Sequence, residues 1–223
     1  MSPSDELEPQ SQTAVEWTPY DAHLHYTCAI IQDLRQTGLQ GWKPVPTMVR
    51  TDPGELPLAE GPAVPMYYQA AGDGSYSTSG MFAFGSAAFV AGAFAVNALA
   101  NSAAKRKAQA DLQRRWMAGP TGAVMISPSR VLFWNPTETY SIYWSGLDMV
   151  DLTGADTVMF RYKGAASGLD TVVQFQTMWA VLIFALAAND SFPNHPRWLS
   201  GEWLPIGFED RCEMAGYARP NVR

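Results

Sequence analysis

The chain has 223 residues, of which 47% are hydrophobic and 16% charged, and its net charge is -6 at pH 7. This composition is too apolar for a disordered protein and supplies one sizeable core, so we expect one main domain. The acidic balance argues against nonspecific nucleic-acid binding, which needs clustered lysine and arginine to neutralise phosphates. The two cysteines, Cys28 and Cys212, fit no metal-ligand spacing, which favours a reduced, cytoplasmic setting.

The N-terminal residues are polar and acidic. Residues 1–19 carry few apolar side chains that could anchor them, so we expect a flexible tail. The opening MSPSDELEPQ also lacks the basic and apolar regions of a signal peptide, so secretion by that route is not expected. A cytoplasmic protein is the expectation, and an apolar segment further along the chain leaves association with the inner membrane open.

Residues 20–37 have the pattern of a short amphipathic helix. Apolar side chains recur at spacings near three and four, and Gly38 follows where a left-handed residue ends many helices. His23 and His25 lie two positions apart and therefore point to different sides of this helix. With only Cys28 nearby, they cannot complete a tetrahedral site, so no metal ion is predicted.

Proline is frequent in residues 41–65, GWKPVPTMVRTDPGELPLAEGPAVP. Because proline lacks a backbone donor, this stretch is not expected to form a regular helix or a central strand. We expect an extended connector over the domain surface, with Trp42 as its hydrophobic contact, so that residues 20–61 are a helix and a connector. A ligand for an SH3-like partner is disfavoured because the prolines are irregularly spaced. Val64 to Ala71 is predicted as a strand, ended by a Gly-Asp-Gly turn.

A long apolar segment follows, from Met81 to Ala100. It carries no charge and leads to a cationic cluster at residues 105–107. Its alanine-rich composition, continued to about Trp116, predicts a helical insertion at residues 80–116. About twenty residues at 1.5 Å each could cross the roughly 30 Å hydrocarbon core of a bilayer, and cations beyond the end favour a cytoplasmic end.

Small residues give the same segment a second interpretation. Alanines at every fourth position from Ala83 to Ala95 form a stripe that another helix can approach closely. The helix is therefore either covered by its own domain or a sister subunit, or inserted with its cations at anionic head groups. The residues predicted to contact a membrane or a protein partner are Phe82, Phe89, Phe94, Lys105, Arg106, Lys107, Arg114 and Arg115.

From Gly119 onward the apolar residues alternate with polar ones, as in strands. Turn residues such as Pro128-Ser129 separate the short segments, which predicts an antiparallel barrel or sandwich. The apolar run of residues 177–189 is too short to span a membrane and is expected to be a helix that plugs one end of the barrel. The aromatics of the tail, residues 191–223, are expected to bury against this domain of residues 62–190. The predicted strands are residues 123–127, 130–134, 139–144, 147–152, 158–162 and 169–176.

Three sequence features of the C-terminal half occur together in one known family. They are the hairpin GAVMISPSRVLFW, the aromatic strand YSIYW and the apolar helix TMWAVLIFALAA. With them, the stretch from Trp116 to Ala188 resembles bacterial PH-like domains of the GRAM type, in which a Trp, then G-x-V-x-x-T/S-x-x-R-L-x-F, then a second Trp recurs. NSAAKRKAQADLQRRW is also similar to a basic helix before the barrel in uncharacterised actinobacterial and actinophage members.

The resemblance extends over residues 55–188 and carries expectations about fold and function. It implies an α+β fold, a PH-like antiparallel β-barrel or sandwich capped by a C-terminal helix, with the long Ala/Gly-rich helix as an insertion. It also implies a binding platform for membranes or protein partners, typically without catalysis. No phosphoinositide-binding motif can be carried over, since the loops lack a clear Lys/Arg pair.

Three binding or structural functions stay open. The leading one is a non-enzymatic PH-like module, without a cofactor, that docks on a protein partner or the inner membrane face through residues 80–116. The second is a self-associating structural protein, phage-encoded, whose Ala/Gly helices form the subunit contact. The third is a membrane-anchored protein with residues 81–100 inserted in the bilayer.

A hydrolase is the least favoured function. Its candidate residues are His23, His25 and His195, with Asp21 or Asp33 as a nearby carboxylate. Because the sequence does not assemble a nucleophile, a base and an orienting group, no catalytic residue is predicted.

Overall fold

A computed structural model describes residues 16–70, 105–106, 113–163 and 170–223. These residues form an α+β fold with one antiparallel sheet of eight strands and four α-helices. The helices are α1 (Pro19–Thr37), α2 (Ala180–Ser191), α3 (Pro196–Ser200) and α4 (Phe208–Met214). The strands are β1 (Ala59–Ala70), β2 (Arg114–Ala118), β3 (Gly122–Ile126), β4 (Arg130–Trp134), β5 (Thr139–Tyr143), β6 (Leu147–Gly154), β7 (Thr157–Lys163) and β8 (Asp170–Gln176).

Strand β1 connects the two halves of the sheet, whose order is β5-β4-β3-β1-β8-β7-β6. Its first part, residues 59–63, pairs with β3, and residues 64–67 pair with β8. The six strands predicted after Gly119 are confirmed, because each turn signal between them is local in the sequence. The sheet is not closed into a barrel, since β5 and β6 are the two ends of its strand order.

The prediction that prolines exclude a central strand is wrong for β1. This strand begins at Ala59, contains Pro62 and Pro65, and lies in the middle of the strand order. Pro62 is tolerated because, among the described strands, only β3 pairs with this part of β1. Pro65 lies just after the point where β1 passes from β3 to β8. Proline is accepted in strands at such edges and irregularities.

Helix α1 is confirmed at both ends, and its caps explain why. Thr18 accepts a hydrogen bond from the backbone N–H of Asp21, whose carboxylate in turn accepts one from the Thr18 backbone N–H. This capping box satisfies donors that the first helical turn leaves unpaired. Gly38 ends the helix in the left-handed region with φ 67°, which glycine adopts without steric cost.

Helix α2 forms the centre of the core. Each residue from Ala180 to Ala188 is buried, and the helix contacts β6, β7 and α1. The prediction of a short buried helix is confirmed, although it packs against an open sheet and does not plug a closed barrel. A helix that is apolar on every side requires such enclosure by protein.

An ion pair attaches the proline-rich connector to the sheet. The guanidinium of Arg130 donates from Nε and Nη2 to the two carboxylate oxygens of Glu55, each at 2.7 Å, and from Nη1 to Ser141. The two charged side chains are only 6% and 4% exposed. Burial alone would raise the pKa of Glu55, but hydrogen bonds, those from Arg130 foremost, lower it to about 2. The connector is thereby held against β4 at one buried point.

The C-terminal tail packs on the domain, as its aromatic residues predicted. Trp203 and Phe208 are buried, and Trp198 is half-buried beneath the guanidinium of Arg35. Tyr217 differs from the prediction, because it stays 44% exposed while its ring contacts Trp17. The start and the end of the described chain therefore meet around α1.

Candidate docking ribbon

One exposed part of the sheet is a two-stranded ribbon formed by the end of β1 and the whole of β2. Residues 66–70 of β1 pair in register with residues 114–118 of β2. Strand β8 follows β1 only as far as Tyr67, so the last three residues of β1 have β2 as their strand partner in the described chain. Ala70 lies directly opposite Arg114, so the ribbon brings together the two described residues that flank residues 71–113 in the sequence.

One face of this docking ribbon combines a cation with two aromatic rings. Tyr68 lies opposite Trp116, and their ring centroids are 5.4 Å apart. Because side chains alternate along a strand, Arg114 shares the face of Trp116. Tyr68 is 47% exposed and Arg114 is exposed. Exposed aromatics beside arginine are typical of surfaces that bind a partner or a lipid interface.

The other face of the ribbon carries Arg115 and Gln69, which are paired across the ladder, and then Tyr67. Arg115 is exposed and has interactions of its own. The two arginines that were predicted as site residues therefore lie on opposite faces of one short strand. A flat surface can contact both faces only at the end of the ribbon.

The predicted site residues lie partly inside and partly outside the described ranges of the chain. Phe82, Phe89, Phe94 and Lys107 lie outside the described residues, as does most of the predicted insertion. Lys105 and Arg106 are helical and exposed, but the helical insertion of residues 80–116 as a whole lies mostly outside the described residues.

The prediction of a helix that continues to Trp116 is wrong at its C-terminal end. Arg114 to Trp116 belong to β2, although arginine favours helices, because pairing with β1 outweighs that weak local preference. The sequence could not reveal the aromatic face of the ribbon for the same reason. The sequence predicts a helix at Trp116 and a strand at Tyr68, so it does not place the two rings opposite each other.

The histidines on α1 have structural contacts. His23 Nδ1 lies 2.7 Å from the carbonyl oxygen of Pro19, and its ring packs against Trp179. His25 packs against the rings of Trp17 and Tyr217. The carboxylate of Asp21 is engaged in the α1 capping box, and one buried carboxylate oxygen of Asp33 has no hydrogen-bond partner among the described residues.

His195 lies apart from these residues, at the start of α3. Its Nδ1 accepts a hydrogen bond from the backbone N–H of Arg197, and its Nε2 is 4.0 Å from Asp151 Oδ1. Arg197 Nε donates to the same Asp151 oxygen at 3.0 Å. This cluster joins α3 to β6, and the structure does not bring the three histidines together in one site.

In the described ranges, no group of three or more His, Cys, Asp or Glu side chains could hold a metal ion. No helix in that part of the chain has both the length and the apolar character needed to cross a membrane.

Comparison with known proteins identifies no family for this chain. Neither the models of known protein families nor the curated proteins contain a match to this chain. The function is therefore inferred from the geometry and chemistry of the chain itself.

Proposed function

We propose that this protein is a non-enzymatic, PH-like binding module that docks on the anionic inner face of a membrane through residues 80–116. The observation that carries the proposal is the docking ribbon. It brings Ala70 and Arg114, which flank residues 71–113 in the sequence, together beside Tyr68 and Trp116 on an exposed part of the sheet.

The order of the elements supports the PH-like part of the proposal. An antiparallel strand meander precedes an apolar helix, α2, which packs against the sheet. This is the order that the resemblance to GRAM-type domains implies. The insertion would then lie between the first two strands of the domain, β1 and β2.

The choice of a membrane over a protein partner rests on charge. The chain as a whole is acidic, but five of its 15 lysines and arginines, counted from the sequence, fall within residues 105–115. Each cation near an anionic bilayer contributes about 1 kcal/mol, and the neighbouring uncharged residues 81–100 supply apolar side chains for the interface. A protein partner, or a second copy bound through the alanine stripe, is the competing occupant.

Reversing the charge of two cations within residues 105–114 tests the proposed docking on a membrane. A Lys105→Glu/Arg114→Glu variant is expected to bind vesicles that contain anionic lipid at least about thirtyfold more weakly than the native chain, because two cations of about 1 kcal/mol each are lost. Binding is measured by flotation at low salt.

The matched control is Lys43→Glu/Arg50→Glu, which makes the same change in net charge at two exposed residues of the connector. It is expected to bind vesicles as the native chain does. Equal loss in both variants would mean that net charge alone drives binding. Absence of flotation for the native chain would contradict membrane docking and favour a protein partner.

A further inference from the structure

Three tyrosines from three distant strands line one groove of the sheet. The groove has a volume of about 560 Å³ and is lined by Tyr67 of β1, Tyr140 of β5 and Tyr162 of β7, with Gln69 and Glu138 beside them. We call it the tyrosine groove. Its volume falls within the range of sites for small organic ligands.

The walls of the tyrosine groove are held in place by the core. The Tyr140 ring packs against Phe133 and Phe175, with centroids 5.2 and 6.2 Å away. The hydroxyls of Tyr140 and Tyr67 are hydrogen-bonded at 3.0 Å. This hydrogen bond links the two groove walls that β1 and β5 supply. A fixed wall binds a ligand without first losing conformational freedom.

The tyrosine groove has an acidic character. Glu138 is the one charged residue that lines it in the described chain. Burial raises the pKa of Tyr140 and of Tyr67, and the Glu138 carboxylate raises both further, so the phenols stay neutral at physiological pH and experience its negative charge. Burial likewise raises the pKa of Tyr162. An anionic ligand would meet this carboxylate without a compensating cation in the groove wall.

The neighbouring cations do not line the groove. Arg115 lies opposite Gln69 on the same face of the ribbon, but it is not among the residues that line the groove. Arg161 and Lys163 flank Tyr162 on β7, and by strand alternation they face the opposite side of the sheet. Proteins bind ammonium ions with the negative faces of aromatic rings, and a neighbouring carboxylate adds a second attraction for the charge.

We propose that the tyrosine groove binds an organic cation, an ammonium head group on a short apolar stem, between the three tyrosines and Glu138. The head group belongs to a lysine side chain or to a choline-type compound, which share one positively charged nitrogen at the end of a short stem. This proposal does not depend on membrane docking by residues 80–116, because the groove is formed by the sheet alone.

The test compares choline with 3,3-dimethylbutan-1-ol, in which a carbon atom replaces the charged nitrogen. The full chain is labelled with ¹³C at the tyrosine ring carbons and titrated in buffer, or in a maltoside detergent if it requires one. Choline is expected to shift the signals of Tyr67, Tyr140 and Tyr162, and to bind about tenfold more tightly than the neutral compound. A parallel titration with Nα-acetyl-lysine amide, whose side-chain ammonium stays charged, distinguishes the two sources of the cation.

Glu138→Gln provides the second measurement, because it removes the charge and keeps the shape. It is expected to weaken choline binding about tenfold, whereas Asp148→Asn, an exposed charge on β6, leaves binding unchanged. Equal affinity for choline and its neutral analogue would overturn the proposal. So would the absence of shifts with both cations, or equal binding by native chain and Glu138→Gln.

Discussion

Replacing Arg130 with alanine is expected to lower the free energy of unfolding by about 3–5 kcal/mol. The substitution removes the partner of Glu55, whose carboxylate is only 4% exposed and would remain as an unpaired charge inside the protein. It also deprives Ser141 of a donor and releases the connector from β4. Urea denaturation followed by circular dichroism measures the loss.

The control for this experiment is Arg219→Ala. Arg219 also forms ion pairs, with Asp210 and Glu213, but all three side chains are at least half exposed. Surface pairs contribute little because water screens both charges. No measurable change is therefore expected at Arg219, and an equally small effect at Arg130 would contradict the buried role of its ion pair.

The acid dependence of the free energy of unfolding is an independent measurement of the same ion pair. The pKa of Glu55 is about 2 in the folded chain, against an ordinary value of 4.5. The folded state therefore binds this proton less tightly than the unfolded state does. The stabilisation is fully present above pH 4.5 and is lost as the pH falls through about 2. An Arg130→Met/Glu55→Leu double variant is expected to lack this contribution to the acid dependence.

Replacing Phe184 with alanine is expected to destabilise the protein by about 3–5 kcal/mol, which lowers Tm by about 6–20 °C. Phe184 lies in the middle of α2 and is 0% exposed, so the shortened side chain leaves a cavity that the surrounding helix and strands cannot fill. Thermal denaturation monitored by circular dichroism measures the shift.

Leu199→Ala on α3 is the matched control for the α2 substitution. Leu199 is apolar but 68% exposed, and its truncation should change stability by no more than about 0.5 kcal/mol. A similar shift for both variants would mean that α2 does not form the core of the sheet.

The elements that sequence predicted well depend on local signals. Helix α1 carries its own capping box and its terminal glycine, and the β3–β4 hairpin carries its turn at Pro128-Ser129. Helix α2 is recognised by an apolar run of the right length. In each case the residues that determine the element lie within a few positions of it, so no distant contact is needed to infer it.

The features that sequence could not predict depend on distant pairs. Glu55 and Arg130 are 75 positions apart, and Tyr67 and Tyr140 are 73 apart. Strand β2 forms because it pairs with β1, which precedes the apolar segment in the sequence, whereas β2 follows it. Local preference favoured a helix at Arg114 and Arg115, and the pairing overrode it.

The proposed docking on a membrane is tested most directly by fractionating bacterial cells that express the intact chain. The chain is expected to sediment with the membranes at low salt and to be released by a high-salt wash, because screening weakens the contacts of residues 105–115. Recovery only in detergent would identify the alternative with residues 81–100 inserted. A chain that remains in the supernatant at low salt would contradict membrane docking.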